Sequence, residues 1–133
     1  KAQVFSEGTD VSLFACGHMV WNAIQAGAIL QEKGVRVEVI NIHTIKPLDE
    51  EAVLQSIRKT KCAVTAEEHN IIGGLGDAIA QCAAKNLPIP IEYIGTKDTF
   101  GESGKPTDLL KKYGLDIPDI VAAAEKAMKR KNS

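Results

Sequence analysis

Short apolar segments rich in β-branched residues alternate with longer segments of helical spacing between residues 11 and 94. This alternation is typical of βαβ units, in which a helix connects two parallel strands. The predicted strands are residues 11–15, 35–42, 62–66 and 89–94, with a fifth, residues 2–6, at an edge of the sheet. Pro88 and Pro90 indicate that the 89–94 strand starts late or borders the sheet, because proline has no N–H to donate.

Helical spacing predicts three helices between these strands and one after them. The first ends before Gly34, and the second begins at an Asp49 N-cap and ends near residues 58–60. The third covers about 74–77 to 86–88, and the last begins at Asp116 with Pro118 in its first turn. A loop at 95–105 and a short helix at 106–114 precede the last helix. The apolar positions are Val20, Ala23, Ile24, Gly27 and Leu30 in the first helix, Ala78, Ile79, Cys82 and Ala83 in the third, and Ile120, Val121, Ala124 and Met128 in the last.

The composition is that of one globular domain: 133 residues, 44% hydrophobic and 25% charged. With a net charge of −1, the chain lacks the excess of basic residues that nucleic-acid binding needs. The basic end of the last helix, residues 126–131, complements the helix dipole instead. No apolar run reaches the roughly 20 residues that span a bilayer, and residues 1–10 do not resemble a signal peptide. We therefore expect neither a nucleic-acid nor a membrane partner.

The three cysteines are Cys16, Cys62 and Cys82, an odd number of widely separated residues without a Cys-x-x-Cys pair. This pattern indicates neither a disulfide framework nor a zinc site, and reduced thiols are typical of a cytoplasmic protein. Lys1 stands where an initiator Met is absent, so we expect the sequence to be a fragment of a longer chain.

Ligands of parallel sheets gather at the carboxyl ends of the strands, so the loops that follow the strands are candidate sites. In the loop 16–19, Gly17 and His18 precede a helix whose backbone N–H groups suit an anion. No second titratable group lies beside His18 in the sequence. A cap or surface contact is therefore favoured for His18 over a catalytic base.

The loop 67–77 is richer in candidate chemistry. It contains two consecutive glutamates, one imidazole and three glycines: Glu67, Glu68, His69, Gly73, Gly74 and Gly76. Glu68 beside His69 suits an acid–base pair, and glycines at a helix N-terminus let the backbone approach a phosphate. However, the Gly-Gly-x-Gly spacing matches neither a dinucleotide fingerprint nor a P-loop, and Asp77 would repel a phosphate. Close helix packing or a domain interface is the favoured interpretation.

Two further candidates carry less chemistry. His43 directly follows a predicted strand, where a structural histidine is favoured over a ligand contact. Ser103 lies in a Gly-rich loop that lacks the second glycine of a nucleophile elbow in register and the upstream half of a P-loop. The motifs alone therefore predict no catalytic, cofactor-binding or metal-binding residue.

Four stretches, read together and in this order, resemble the C-terminal domain of transketolase. They are residues 7–11 (EGTDV), 39–49 (VINIHTIKPLD), 65–76 (TAEEHNIIGGLG) and 100–105 (FGESGK). The same domain type forms the C-terminal end of deoxyxylulose phosphate synthase and of the beta subunit of the pyruvate dehydrogenase first component. The Phe-Gly-x-Ser-Gly-Lys form of the fourth stretch is similar to transketolases and separates this chain from both.

The resemblance implies a three-layer α/β/α domain with a five-stranded mixed sheet, mostly parallel with one antiparallel edge strand. It also implies an enzyme of the pentose phosphate pathway that uses thiamine diphosphate and Mg²⁺ to move a two-carbon ketol unit between sugar phosphates. In the family the cofactor lies between a pyrophosphate-binding and a pyrimidine-binding domain, at a dimer interface. Neither domain is in this sequence. The chain, as one domain over residues 1–133, is therefore expected to be structural and dimer-forming, and inactive alone.

Three alternatives remain open from the sequence. The chain could be a regulatory module that binds a small anion or nucleotide at residues 16–19 or 73–76. It could be the C-terminal domain of one of the two related thiamine diphosphate enzymes instead of a transketolase. As a beta-subunit-like domain, it would dock onto an acyltransferase core. The sequence also leaves open whether the full transketolase is one chain or split into two.

Overall fold

The computed structural model describes residues 2–68, 74–95 and 117–133. The strands in these ranges are β1 (Gln3–Ser6), β2 (Val11–Ala15), β3 (Val37–Asn41), β4 (Ala63–Ala66) and β5 (Ile91–Ile94). The helices are α1 (Met19–Glu32), α2 (Glu50–Thr60), α3 (Leu75–Asn86) and α4 (Ile117–Lys131). The predicted loop beyond Gly95, the helix at 106–114, Asp116 and Ser103 lie outside the described residues.

The described strands form one sheet in the order β1-β3-β2-β4-β5. β1 is antiparallel to β3, whereas the pairs β2–β3, β2–β4 and β4–β5 are parallel. Every residue of β2 and β4 is buried, as expected for parallel strands covered on both faces. The mostly parallel sheet with one antiparallel edge strand confirms the predicted fold class.

Helices cover both faces of the sheet, which gives three layers. Alternate strand residues such as Leu13 and Val39 pack with α1 and α4 in one core cluster. Their neighbours Phe14 and Ile40 face the other way and pack with α2 and α3 in a second cluster. The apolar stripe of α1 is shifted from the prediction: Met19 and Ala26 are also fully buried, while Val20 and Ile24 are partly buried.

Local signals determine several helix ends as predicted. The Asp49 carboxylate accepts the Ala52 N–H at 3.2 Å and so caps α2, and the helix ends at Lys61 with a left-handed φ of 64°. β3 is shorter than predicted because the N–H groups of the two residues before it are used elsewhere. Val35 donates to Leu30 O at 3.0 Å, and Arg36 donates to an Asp10 carboxylate oxygen at 2.7 Å.

The first of the four resembling stretches has a structural role. The Gly8 N–H donates to Glu38 Oε1 at 3.1 Å, and the Lys59 ammonium donates to the same oxygen at 2.6 Å. Glu38 is only 2% exposed, so both donors stabilise a carboxylate that has little contact with water. These contacts attach the β1–β2 connection and α2 to β3, an interior strand of the sheet.

The basic end of α4 binds the rest of the domain. Lys131 Nζ donates to the carbonyl oxygens of Asp10 at 2.7 Å and Thr60 at 2.6 Å. Arg130 Nη1 lies 2.6 Å from a carboxylate oxygen of Glu92 on β5. These cations therefore attach α4 to the sheet and to the end of α2. Among the described residues, no helix is long and apolar enough to cross a membrane.

Candidate functional site

The carboxyl ends of the parallel strands meet at one edge of the sheet. Ile42 N–H donates to Ala15 O at 2.9 Å, Cys16 N–H to Ala66 O at 3.4 Å, and Glu67 N–H to Ile94 O at 3.1 Å. These bonds connect the first residues after each strand to the neighbouring strand. The two loops selected from the sequence, 16–19 and 67–77, therefore start side by side.

Glu68 lies at the N-terminus of α1. Its Oε1 accepts the His18 backbone N–H at 3.2 Å and lies 3.8 Å from His18 Nε2. Gly17 has a φ of +62°, and a Cβ built on it would be 3.3 Å from the same Glu68 oxygen. The His18 side chain is 91% exposed and makes no capping bond itself. A carboxylate from a loop 50 residues away thus supplies the N-terminal acceptor of α1.

Glu67 performs the corresponding role for α3, at a buried position. It is 6% exposed, and its carboxylate accepts the Leu75 N–H at 3.1 Å and the Gly76 N–H at 2.7 Å. The N-cap residue Gly74 has no side chain for this purpose. Two otherwise orphaned helix donors are therefore satisfied by one internal anion.

The two acids reach different helices because successive side chains point to opposite faces of a strand. Continuing the alternation of β4, Glu67 points to the face that carries α3 and Glu68 to the face that carries α1. A pair of consecutive carboxylates thus connects two helix N-termini across the sheet edge. In this arrangement both acids have electrostatic partners within the domain.

Close packing accompanies this cap. A Cβ added to Gly76 would lie 3.0 Å from Tyr93 Cδ1, 3.1 Å from Glu67 Oε2 and 3.4 Å from Thr65 Oγ1. Only a residue without a side chain fits there without a shift of its neighbours. The requirement for glycine at position 76 therefore comes from the contact between α3, β4 and β5, which supports the helix-packing interpretation.

The structure places five of the residues predicted from the sequence in two groups. Gly17 and His18 lie against Glu68 at the start of α1, whereas Gly74 and Gly76 lie at the start of α3, where Gly76 contacts Glu67. His69 and Gly73 lie outside the described residues, so the proposed Glu68–His69 pair stays a prediction. Glu68 instead lies near His18, for which the sequence alone showed no titratable neighbour. His43 is exposed, and its Nε2 lies 3.4 Å from Asn41 Nδ2.

The sequence interpretation gave no role to Glu67, whose carboxylate accepts two backbone N–H groups at this edge. The signal was present, because an acid at the end of a buried strand, followed by a glycine-rich helix start, suits an internal cap. Within residues 2–68, 74–95 and 117–133, no three His, Cys, Asp or Glu side chains form a group that could hold a metal ion.

The cysteine closest to this edge is a poor nucleophile. Cys16 is buried, and burial, with the nearby charges of Glu67 and then Glu68, raises the pKa of its thiol from about 9 to about 11. Burial also raises the pKa values of Cys62 and Cys82. With these raised pKa values the three thiols stay protonated at neutral pH. They are poor nucleophiles, because the thiolate is the reactive form.

The raised pKa of Cys16 gives a pH dependence of stability. Between pH 9 and 11 the unfolded thiol loses its proton while the folded thiol keeps it, so the free energy of unfolding falls as pH rises. We expect the wild type to lose on the order of 2 kcal/mol more than Cys16→Ala between pH 8.5 and 11, because Cys62 and Cys82 contribute equally to both proteins. Urea unfolding of both proteins measures the difference, and parallel pH profiles would contradict the prediction.

The family model described as "Transketolase, C-terminal domain" matches residues 1–120. A 6-deoxy-6-sulfo-D-fructose transketolase subunit of Clostridium sp. (strain MSTE9) is 47% identical over 132 residues, covering 99% of this chain and 41% of the relative. A putative transketolase C-terminal section of Methanocaldococcus jannaschii is 43% identical, covering 98% and 40%. A 1-deoxy-D-xylulose-5-phosphate synthase of Desulforudis audaxviator is 38% identical, covering 98% and 21%.

A solved structure of a split gene transketolase, an inactive beta4 tetramer, has the same fold. Its TM-score is 0.93 at 43% identity, and the match covers 98% of this chain and 43% of that chain. The chain thus spans less than half the length of these relatives. The family match, the identities and the shared fold agree, and this chain belongs to the transketolase C-terminal domain family.

Proposed function

We propose that this chain is the C-terminal domain of a transketolase, in the full enzyme of which a two-carbon ketol unit moves between sugar phosphates. Two relatives that match almost the whole of this chain are a transketolase subunit and a putative transketolase C-terminal section, and the solved neighbour is a split gene transketolase. These names support a split enzyme in which a separate subunit completes the active site.

The observation that carries the proposed structural role is the use of Glu67 and Glu68 as helix caps. Both carboxylates at the carboxyl edge accept backbone N–H groups of helices in the same domain. They therefore stabilise the fold, and the domain contributes packing and subunit contacts, while catalysis takes place in other domains.

The N-terminus of α3 does not fit the diphosphate of thiamine diphosphate. The N–H groups of Leu75 and Gly76 already donate to Glu67, and a diphosphate there would meet a like charge. In the proposal, thiamine diphosphate and Mg²⁺ bind between the pyrophosphate-binding and pyrimidine-binding domains, which are the partners of this chain. The full protein is a cytoplasmic homodimer in this proposal, and the domain itself is not catalytic.

The test is reconstitution of transferase activity. The chain is added to the pyrophosphate-binding and pyrimidine-binding domains of its enzyme, with thiamine diphosphate, Mg²⁺ and pentose phosphates, and ketose phosphate formation is measured. We expect activity from the mixture and none from the chain alone. Product from the chain alone, or a rise in its melting temperature on addition of thiamine diphosphate and Mg²⁺, would exclude the non-catalytic role.

A second candidate rests on the 38% identity to a 1-deoxy-D-xylulose-5-phosphate synthase. In that case the same mixture would form 1-deoxy-D-xylulose 5-phosphate in place of a ketol-transfer product. The residues that separated the two families in the sequence, 100–105, lie outside the described residues. Product identity is therefore the measurement that decides between the two candidates.

A further inference from the structure

A cleft of about 630 Å³ lies between α3 and the β3–α2 connection, residues 42–49. Its volume falls within the roughly 300–1,000 Å³ that is typical of small-molecule sites. The connection and the start of α3 both follow parallel strands, so they lie at the carboxyl edge of the sheet, where ligands gather. The cleft is separate from the capping pair, because neither Glu67 nor Glu68 lines it.

One wall of the cleft consists of two rows of residues on α3. Asp77, Gln81 and Lys85 are four residues apart and therefore form one row along the helix. Ala78 and Cys82 form the neighbouring row, which is apolar. The α3 wall thus combines apolar side chains with an acid at the start of the helix and a cation about two turns later.

The opposite wall belongs to the β3–α2 connection and the first residue of α2. Ile45 and Leu48 line the cleft and pack against the same core cluster as α3. Glu50 begins α2, and its Oε2 lies 4.0 Å from Lys85 Nζ on the α3 wall. Apolar side chains therefore line both walls, and one ion pair joins them.

The charges of the cleft balance, but only one pair of them is in contact. Two cations and two acids line it: Lys46, Lys85, Glu50 and Asp77. Within the part of the chain that the structure describes, the exposed side chains of Lys46 and Asp77 have neither a hydrogen bond nor an ion pair. One cation and one acid thus remain available to a ligand.

We propose that this cleft binds an α-amino acid with an apolar side chain. The ligand carboxylate suits Lys46, its ammonium suits Asp77, and its side chain suits the apolar walls. A phosphate fits less well, because two carboxylates line the cleft and Lys85 is already paired with Glu50. The inference goes beyond the proposed function and does not depend on it, since it concerns binding to this chain alone.

Titration of the isotope-labelled chain with L-leucine, followed by NMR, tests the inference. We expect shifts of the backbone amides of Ala78 and Gln81 and a Kd on the order of 1 mM, because a ligand of few atoms makes few contacts. Two analogues separate the charges: isoamylamine lacks the carboxylate of leucine, and isocaproate lacks its ammonium. Each should bind about fivefold more weakly than leucine.

Two variants assign the ligand charges to residues. Lys46→Gln should raise the Kd of leucine about fivefold and leave that of isoamylamine unchanged. Asp77→Asn should raise the Kd of leucine by a similar factor and leave that of isocaproate unchanged. The matched control Glu51→Gln changes an exposed acid in the first turn of α2 that does not line the cleft, and it should leave all three Kd values unchanged.

Three results would overturn the inference. The first is the absence of shifts at Ala78 and Gln81 at the highest soluble leucine concentration. The second is an analogue that binds as tightly as leucine, because the two ligand charges would then not act together. The third is ribose phosphate that binds at the same residues more tightly than leucine. None of these measurements uses transferase activity, so failure of this inference leaves the proposed function in place, and failure of the proposed function leaves this inference in place.

Discussion

Replacing Gly8 by alanine is expected to lower the free energy of unfolding by about 3 kcal/mol. A Cβ at this position would lie 2.5 Å from the Val37 carbonyl carbon and 2.6 Å from the carbonyl carbon and oxygen of Arg36. All three are backbone atoms at the start of β3, which pairs with both β1 and β2. Relief of the clash therefore requires movement of a strand in the interior of the sheet.

Urea unfolding of Gly8→Ala measures this effect, and Gly34→Asn is the matched control. Gly34 has a φ of +85° with no atom within 4 Å of an added Cβ, and asparagine tolerates positive φ better than most residues. We expect the control to cost about 1 kcal/mol or less. If Gly8→Ala were as stable as the control, the close approach of this glycine to β3 would not constrain the domain.

Elements with local determinants could be predicted from the sequence. The alternation of β-branched strands and helical segments identified the sheet, and Asp49 identified the start of α2, because an N-cap acts on an N–H three residues away. The end of α1 near Gly34 is equally local. In each case the residues that determine the structure are neighbours in the sequence.

Features that depend on residues distant in the sequence were predicted less accurately. The predicted strand 35–42 begins two residues too early because Arg36 binds the carboxylate of Asp10, 26 residues earlier. The environment of His18 also depends on a distant residue, since Glu68 follows it by 50 residues. Helical and strand periodicity contains no information about such partners, so no titratable neighbour of His18 could be predicted.

The candidate site could be located from the sequence, but the helix that each glutamate caps could not be predicted. The sheet topology brings loops 16–19 and 67–77 to one edge, which follows from a general property of parallel sheets. The assignment of Glu67 to α3 and Glu68 to α1 requires knowledge of which helix covers which face. That depends on the handedness and order of the connections as well as on the residues of the loop.

Replacing Glu67 by alanine is expected to lower the free energy of unfolding by about 3 kcal/mol, since hydrogen bonds to a charged group contribute more than neutral ones. The change leaves the N–H groups of Leu75 and Gly76 without their acceptor at the buried start of α3. The matched control is Glu68→Ala, which removes one backbone contact from a side chain that is 28% exposed. We expect the control to cost about 1 kcal/mol.

The same pair of variants tests whether Glu67 excludes external anions. In Glu67→Ala the freed donors and the dipole of α3 form an anion site, so inorganic phosphate should raise the melting temperature of this variant more than that of the wild type. Glu68→Ala retains the internal anion at α3 and should respond like the wild type. A wild-type chain that phosphate stabilises as strongly as Glu67→Ala would mean that an anion binds beside Glu67, and the regulatory anion-binding alternative would then replace the structural role.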